Sequence, residues 1–165
     1  MSLRATLRDH LLTIWAGEPW YGSPSKKILE DVTAAEASAH PLAGAQSIWE
    51  ATLHMVAWTE EVASRLRGNA AKMPERGDWP AVTATSAEAW TATTDALRAA
   101  RYALLDVVDK SHEEDFYLQV PTSPGAPDPK KYTRAETVSG LAEHDVYHLG
   151  QIAMLKKALR AKPAN

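Results

Sequence analysis

The chain contains no cysteine, which removes disulfides, thiolate metal ligands and a cysteine nucleophile together. Any metal ion must then be held by histidine or carboxylate side chains. Long apolar runs are missing as well: no uncharged stretch approaches the roughly 20 residues that a membrane-spanning helix needs. The leucines near the N-terminus are interrupted by Arg4, Arg8 and Asp9, unlike the apolar core of a signal peptide. The expectation is a soluble, cytoplasmic protein with no membrane partner. Basic blocks are equally scarce, with 18 Lys and Arg against 21 Asp and Glu for a net charge of −3. Nothing in that balance advertises a nucleic-acid surface. There is no glycine-rich phosphate loop and no G-x-S-x-G elbow. Phenylalanine occurs once against six tryptophans; buried indoles need partners for their N–H groups, so core packing is the main expected use.

What remains is helical patterning. The 165 residues fit one domain, 1–165, long enough to bury a core without staples. Leu3, Leu7, Leu11 and Ile14 recur at helical spacing and predict a first helix to about Ala16. Gly17 to Pro24 is broken by glycine and proline, with Ser23 and Pro24 suited to the N-cap and first position of a short helix through Leu29. Thr33 and Glu36 form a capping-box pattern, and Ser47 and Glu50 form a clearer one that opens a long helix to about Arg67. Residues 68–84 read as a long loop. Thr85 and Glu88 open a third long helix toward Ser111, with Trp90, Leu97, Leu104 and Val108 on its seam. Phe116, Leu118 and Val120 alternate as in an extended segment, and the prolines at 121, 124, 127 and 129 forbid helix there. Thr133 and Glu136 start the last helix, which runs to about Leu159. Four amphipathic helices of these lengths predict an all-α, antiparallel four-helix bundle.

The chemistry lies in the last helix, at His144-Asp145-Val146-Tyr147-His148-Leu149-Gly150-Gln151-Ile152. Residues four apart on a helix share a face, with Cβ atoms about 5–6 Å apart, so both imidazoles can reach one ion. Leu141, His144, His148, Ile152, Leu155 and Leu159 fall on one stripe, so these histidines replace aliphatic residues in the seam. Such a pair serves a metal or a hydrogen-bonded core equally well. A third ligand would come from a facing helix, and His54, in the middle of the second long helix, is the best placed. Taken alone it reads as a core or rim histidine, because periodicity permits an inward orientation without requiring one. His10, His40 and His112 lie near helix ends or in a loop. Gln151 stands one turn beyond His148, where it could orient a ligand or make an ordinary interhelical bond. Asp145 and Tyr147 point to either side of the stripe, as packing or surface residues. The Glu-x-x-His signature of di-iron bundles is absent, since Ala51, Leu141 and Asp145 stand three positions before the histidines.

These residues resemble the DinB/YfiT-like family of four-helix bundles, described as metal-dependent enzymes. The likeness rests on the His144 to Ile152 motif and on Ser47-Ile48-Trp49-Glu50 with His54 beyond it. It extends to Trp20-Tyr21-Gly22-Ser23-Pro24 and to Ser38-Ala39-His40-Pro41-Leu42. The resemblance implies that His54, His144 and His148 form a three-histidine site for nickel, zinc or a similar divalent ion. It also implies thiol-dependent transfer or isomerisation, since relatives use bacillithiol, mycothiol or glutathione. Tyr21 departs from the family, where histidine often stands; the three ligands are untouched, but any acid/base role of that loop is put in doubt.

A three-histidine site with open positions suits two reactions. It can supply metal-bound hydroxide for hydrolysis, or hold a low-molecular-weight thiol as thiolate for transfer to an electrophile. The expected function is thus a metal-dependent transferase or hydrolase acting on a small molecule. The alternative is a non-catalytic metal-binding or interaction bundle. Trp20, Tyr21 and Trp58 are candidate pocket walls or plain packing residues. Family members often form homodimers, although no pairing face is evident in this sequence.

Overall fold

A computed structural model of the chain describes residues 2–122 and 131–161. Its elements are α1 (Leu3–Ala16), α2 (Ser25–Leu29), α3 (Ala34–Ser38), α4 (Ile48–Leu66), α5 (Ala87–Lys110), a 3-10 helix (Glu113–Tyr117) and α6 (Arg134–Arg160). Among the described residues the only extended pairings are the isolated bridges Ala71–Thr122 and Gln119–Thr133, so the fold is all-helical.

The capping boxes act as their sequences predict. Ser47 Oγ accepts from the Glu50 amide at 3.1 Å while the Glu50 carboxylate accepts from the Ser47 amide at 2.7 Å; Thr133 and Glu136 repeat the exchange at 3.1 and 2.7 Å. Each box satisfies two of the amides that a helix start leaves without partners. Two starts differ from expectation by one residue. Ser86, not Thr85, caps α5, which moves Glu88 out of the reciprocal position. Pro24, not Ser23, occupies the N-cap of α2. At the end of α1, Gly17 is required by space: a Cβ there would lie 2.8 Å from the Thr13 Cα.

The core sits between α4, α5, α6 and α1, with α4 packed most extensively on α5 and then on α6. Trp49, Met55, Leu97, Leu104, Leu149 and Ile152 are among its most deeply buried side chains. Two of the indoles there have hydrogen-bond partners within the protein. Trp49 Nε1 donates to Thr93 Oγ1 at 2.9 Å and Trp90 Nε1 to the Val32 carbonyl at 2.7 Å, and the two rings meet edge to face. Burial without loss of a hydrogen bond is what makes tryptophan usable as core filler here.

The expected extended run is only partly present. Phe116 is fully buried inside the 3-10 helix, and the extended geometry begins after Tyr117, where Val120 N donates to Tyr132 O and Arg134 N to Leu118 O, both at 2.9 Å. Residues 123–130 of the proline-rich stretch lie outside the described residues. The first half of the loop at 68–84 is tied to α4 at two points: Glu61 Oε1 accepts from the Lys72 amide at 2.9 Å, and Arg76 Nε donates to Glu60 at 2.6 Å. Those anchors fold the loop back over α4 and carry Asp78 and Trp79 to the histidines. No helix among the described residues is long and apolar enough to cross a membrane.

Candidate metal centre

His54 projects from the middle of α4, and His144 and His148 from successive turns of α6. The packing of α4 on α6 brings one ligand nitrogen from each within 4.8 Å of the others. His54 Nε2 lies 2.8 Å from His144 Nε2, and His148 Nε2 lies 3.1 Å from the same atom. Two nitrogens bound at 2.0–2.1 Å to one ion stand about 2.9 Å apart at a right angle and about 3.3 Å apart at the tetrahedral angle. The spacing therefore matches a shared ion.

The partners of the opposite ring nitrogens decide where the protons are. His54 Nδ1 stands 2.6 Å from the Asp78 carbonyl oxygen, which can only accept, so this nitrogen carries the hydrogen. His148 Nδ1 likewise donates to Gln151 Oε1 at 2.7 Å. Neutral His54 and His148 then both turn a bare Nε2 lone pair toward His144 Nε2, which has one hydrogen at most. Only one of the two contacts can be a hydrogen bond; the other sets lone pair against lone pair unless a cation lies between them. The donor set fits a divalent ion.

Burial keeps the pair in the required state. Desolvation lowers the pKa of His54, with His144 adding to the effect and the Asp78 carbonyl opposing it. Desolvation also drives His148 down to about 4, reinforced by the other two imidazoles and opposed by Gln151. Both are neutral, ligand-competent bases at pH 7.

The surrounding shell comes largely from the loop between α4 and α5. Trp79 lies flat on His54, with centroids 3.9 Å apart and an interplanar angle of 11°. Asp78 Oδ1 accepts from Trp58 Nε1 at 2.8 Å, which fixes the strand of loop whose carbonyl holds His54. A cavity of about 740 Å³ opens beside the histidines, with His54, His144, Trp58, Val62, Arg65 and Leu141 in its wall. Arg65 covers the Trp58 ring, 5.6 Å from its centroid, and its Nε donates to the buried carboxylate of Glu61 at 2.9 Å.

The structure thus brings His54, His144, His148 and Gln151 together and sets Trp58 in the cavity wall. Trp20 is fully exposed and Tyr21 about half exposed, and neither lines this cavity: the Trp20 ring faces solvent, and the Tyr21 hydroxyl lies near Asp145 and Arg101, its pKa raised by burial and then by Asp145. For Asp145, burial selects the packing alternative over the surface one: it is 0% exposed and pairs with Arg101 of α5. Tyr147 is exposed. His40 pairs with Glu50 at 2.9 Å, and His10 and His112 face solvent, so none of the other three histidines joins the cluster. Asp78, Trp79 and Arg101 are absent from the expected set. The first two sit in a loop without periodicity, where no seam argument reaches. Arg101 did leave a signal, because it shares the Leu97, Leu104 and Val108 stripe of α5.

Comparison with curated proteins and with solved structures returns no match. The match that does exist is to a family, and it spans the stretch from α2 through both histidines of α6: by its agreement with the DinB superfamily model over residues 25–152, the chain belongs to that superfamily.

Proposed function

We propose that this protein is a divalent-metal-dependent enzyme acting on a small molecule, with His54, His144 and His148 as the ligands of nickel or zinc, on an antiparallel four-helix bundle of the DinB type. The observation that carries the reading is the convergence of three Nε2 atoms whose opposite nitrogens, on His54 and His148, are held by acceptors. Transfer of a low-molecular-weight thiol to an electrophile is the preferred reaction and hydrolysis the second. A bound ion would supply Lewis acidity and lower the pKa of a coordinated water or thiol.

The residues have separable tasks. The Asp78 carbonyl and Gln151 hold two imidazoles in the tautomer that leaves Nε2 free. Trp79 shields the His54 ring from water, and Trp58, Val62 and Leu141 offer the apolar part of a substrate a surface beside the ligands. No protein nucleophile is needed, in keeping with a chain that has no cysteine.

The test is metal analysis of tag-free protein, then of His148→Ala. About one equivalent of nickel or zinc in the first and little in the second is expected. Failure of the native protein to retain or take up nickel, zinc or manganese overturns the reading. If metal binds, assays of thiols with electrophiles and of esters follow; binding without turnover would leave a non-catalytic metal protein.

A further inference from the structure

Behind the three converging nitrogens lies a second buried constellation with no part in the reading above. Asp145 is 0% exposed and Arg101 is 5% exposed. Asp145 Oδ2 pairs with Arg101 Nη1 across α6 and α5. Neither Asp145 oxygen has a properly directed hydrogen bond, and Arg101 Nη2 and His144 Nδ1 are also buried without one. The nearest carboxylate to His144 Nδ1 is Asp145 Oδ1, 3.9 Å away. A buried ion pair that only tied two helices together would be expected to satisfy its remaining polar atoms. Here an unfilled acceptor and an unfilled ring nitrogen stand 3.9 Å apart instead, longer than a hydrogen bond but close enough for a small side-chain rotation to join them.

We infer that Asp145, charged and held in place by Arg101, is the positioning residue for His144: it accepts the Nδ1–H hydrogen that His144 must carry when its Nε2 serves a metal ion. The assignment rests on the three-histidine metal reading. It completes a pattern already present on the other two ligands, whose Nδ1 atoms meet Asp78 O and Gln151 Oε1. A carboxylate on a ligand imidazole fixes the tautomer and ring orientation and makes the ligand more basic, and loss of such a partner typically weakens metal binding about 10–100-fold. Arg101 serves by holding Asp145: without it the carboxylate would have little reason to stay buried.

The experiment compares wild type, Asp145→Asn and the double variant Arg101→Met/Asp145→Leu, the last replacing the ion pair by apolar side chains so that no buried charge is stranded. Zinc affinity is measured by competition with a chromophoric chelator, well below each protein's melting temperature. Histidine-labelled protein in the zinc form gives the Nδ1–H resonances by nitrogen-edited NMR. The expected result is zinc binding about 10–100-fold weaker in both variants, with the His144 Nδ1–H resonance moved upfield and those of His54 and His148 unmoved. Unchanged zinc affinity and an unmoved His144 resonance in a folded Asp145→Asn protein, with only the melting temperature lowered, would show a purely structural pair and overturn the assignment. Failure of wild type to bind zinc or nickel overturns the metal reading and this one with it. Tight wild-type binding with unaltered variants sinks this one alone.

Discussion

Trp79 lies parallel to His54, 3.9 Å from centroid to centroid, although the two residues belong to different elements and Trp79 sits in a loop. The indole seals one face of the His54 imidazole while remaining partly open to solvent. An aromatic stack of this kind contributes about 0.5–1.5 kcal/mol beyond burial. Trp79→Ala is therefore expected to weaken nickel binding by up to about tenfold without unfolding the protein. Nickel titration followed by tryptophan fluorescence checks this, with quenching in wild type and much less in the variant.

Gln151 faces solvent, yet its amide oxygen is the partner of the buried His148 Nδ1 at 2.7 Å. Gln151→Ala should leave the urea midpoint nearly unchanged and weaken zinc binding by about tenfold or more. Equal loss of stability and affinity would instead mean that the glutamine acts through the fold.

Glu61 offers a contrast. Its carboxylate is buried and accepts both the Lys72 amide and Arg65 Nε, each at 2.9 Å, so it anchors the loop that carries Asp78 and Trp79. Glu61→Ala should cost about 1–3 kcal/mol, the penalty for leaving buried donors unmet, and should increase hydrogen exchange in residues 70–80 before the rest of the chain. Urea unfolding and exchange measurements check both parts.

Acid sensitivity follows from the two depressed histidines. Both have folded pKa values below the unfolded value near 6.5, His148 at about 4. Between those limits the unfolded chain binds more protons than the folded one, so stability rises with pH across the window. Their contribution is fully present above about pH 6.5 and is lost as pH falls through 4. Metal-free protein should show a falling urea midpoint from pH 6.5 to pH 4.5 and a level one from pH 6.5 to pH 8. Zinc affinity should decline over the same acidic range, because protons compete for the ligands.

Much of the architecture was legible in the chain because local chemistry sets it. Capping boxes at Ser47/Glu50 and Thr133/Glu136, and Gly17 after α1, mark helix ends through bonds made within a few residues. The same locality explains the small misses: Thr85 and Ser86 are both good caps, and only the packing of α5 selects between them. The histidines at 144 and 148 were visible as polar residues in an apolar seam. The same rule applies to Asp145, which stands among Val138, Ala142 and Leu149, and to Arg101 on α5; each is a charge in a second seam.

The sequence by itself determined the helices, the absence of any cysteine chemistry and the face that His144 and His148 share, since these depend on residue type and on the 3.6-residue period alone. Tertiary structure decided everything that needs two elements at once. It turned His54 toward α6, set Asp145 against Arg101 and carried Asp78 and Trp79 over the histidines on a loop anchored by Glu61. The physical reason is that a hydrogen bond or a stacked ring acts over a few ångströms of space, whereas these partners are separated by 24 to 90 residues of chain.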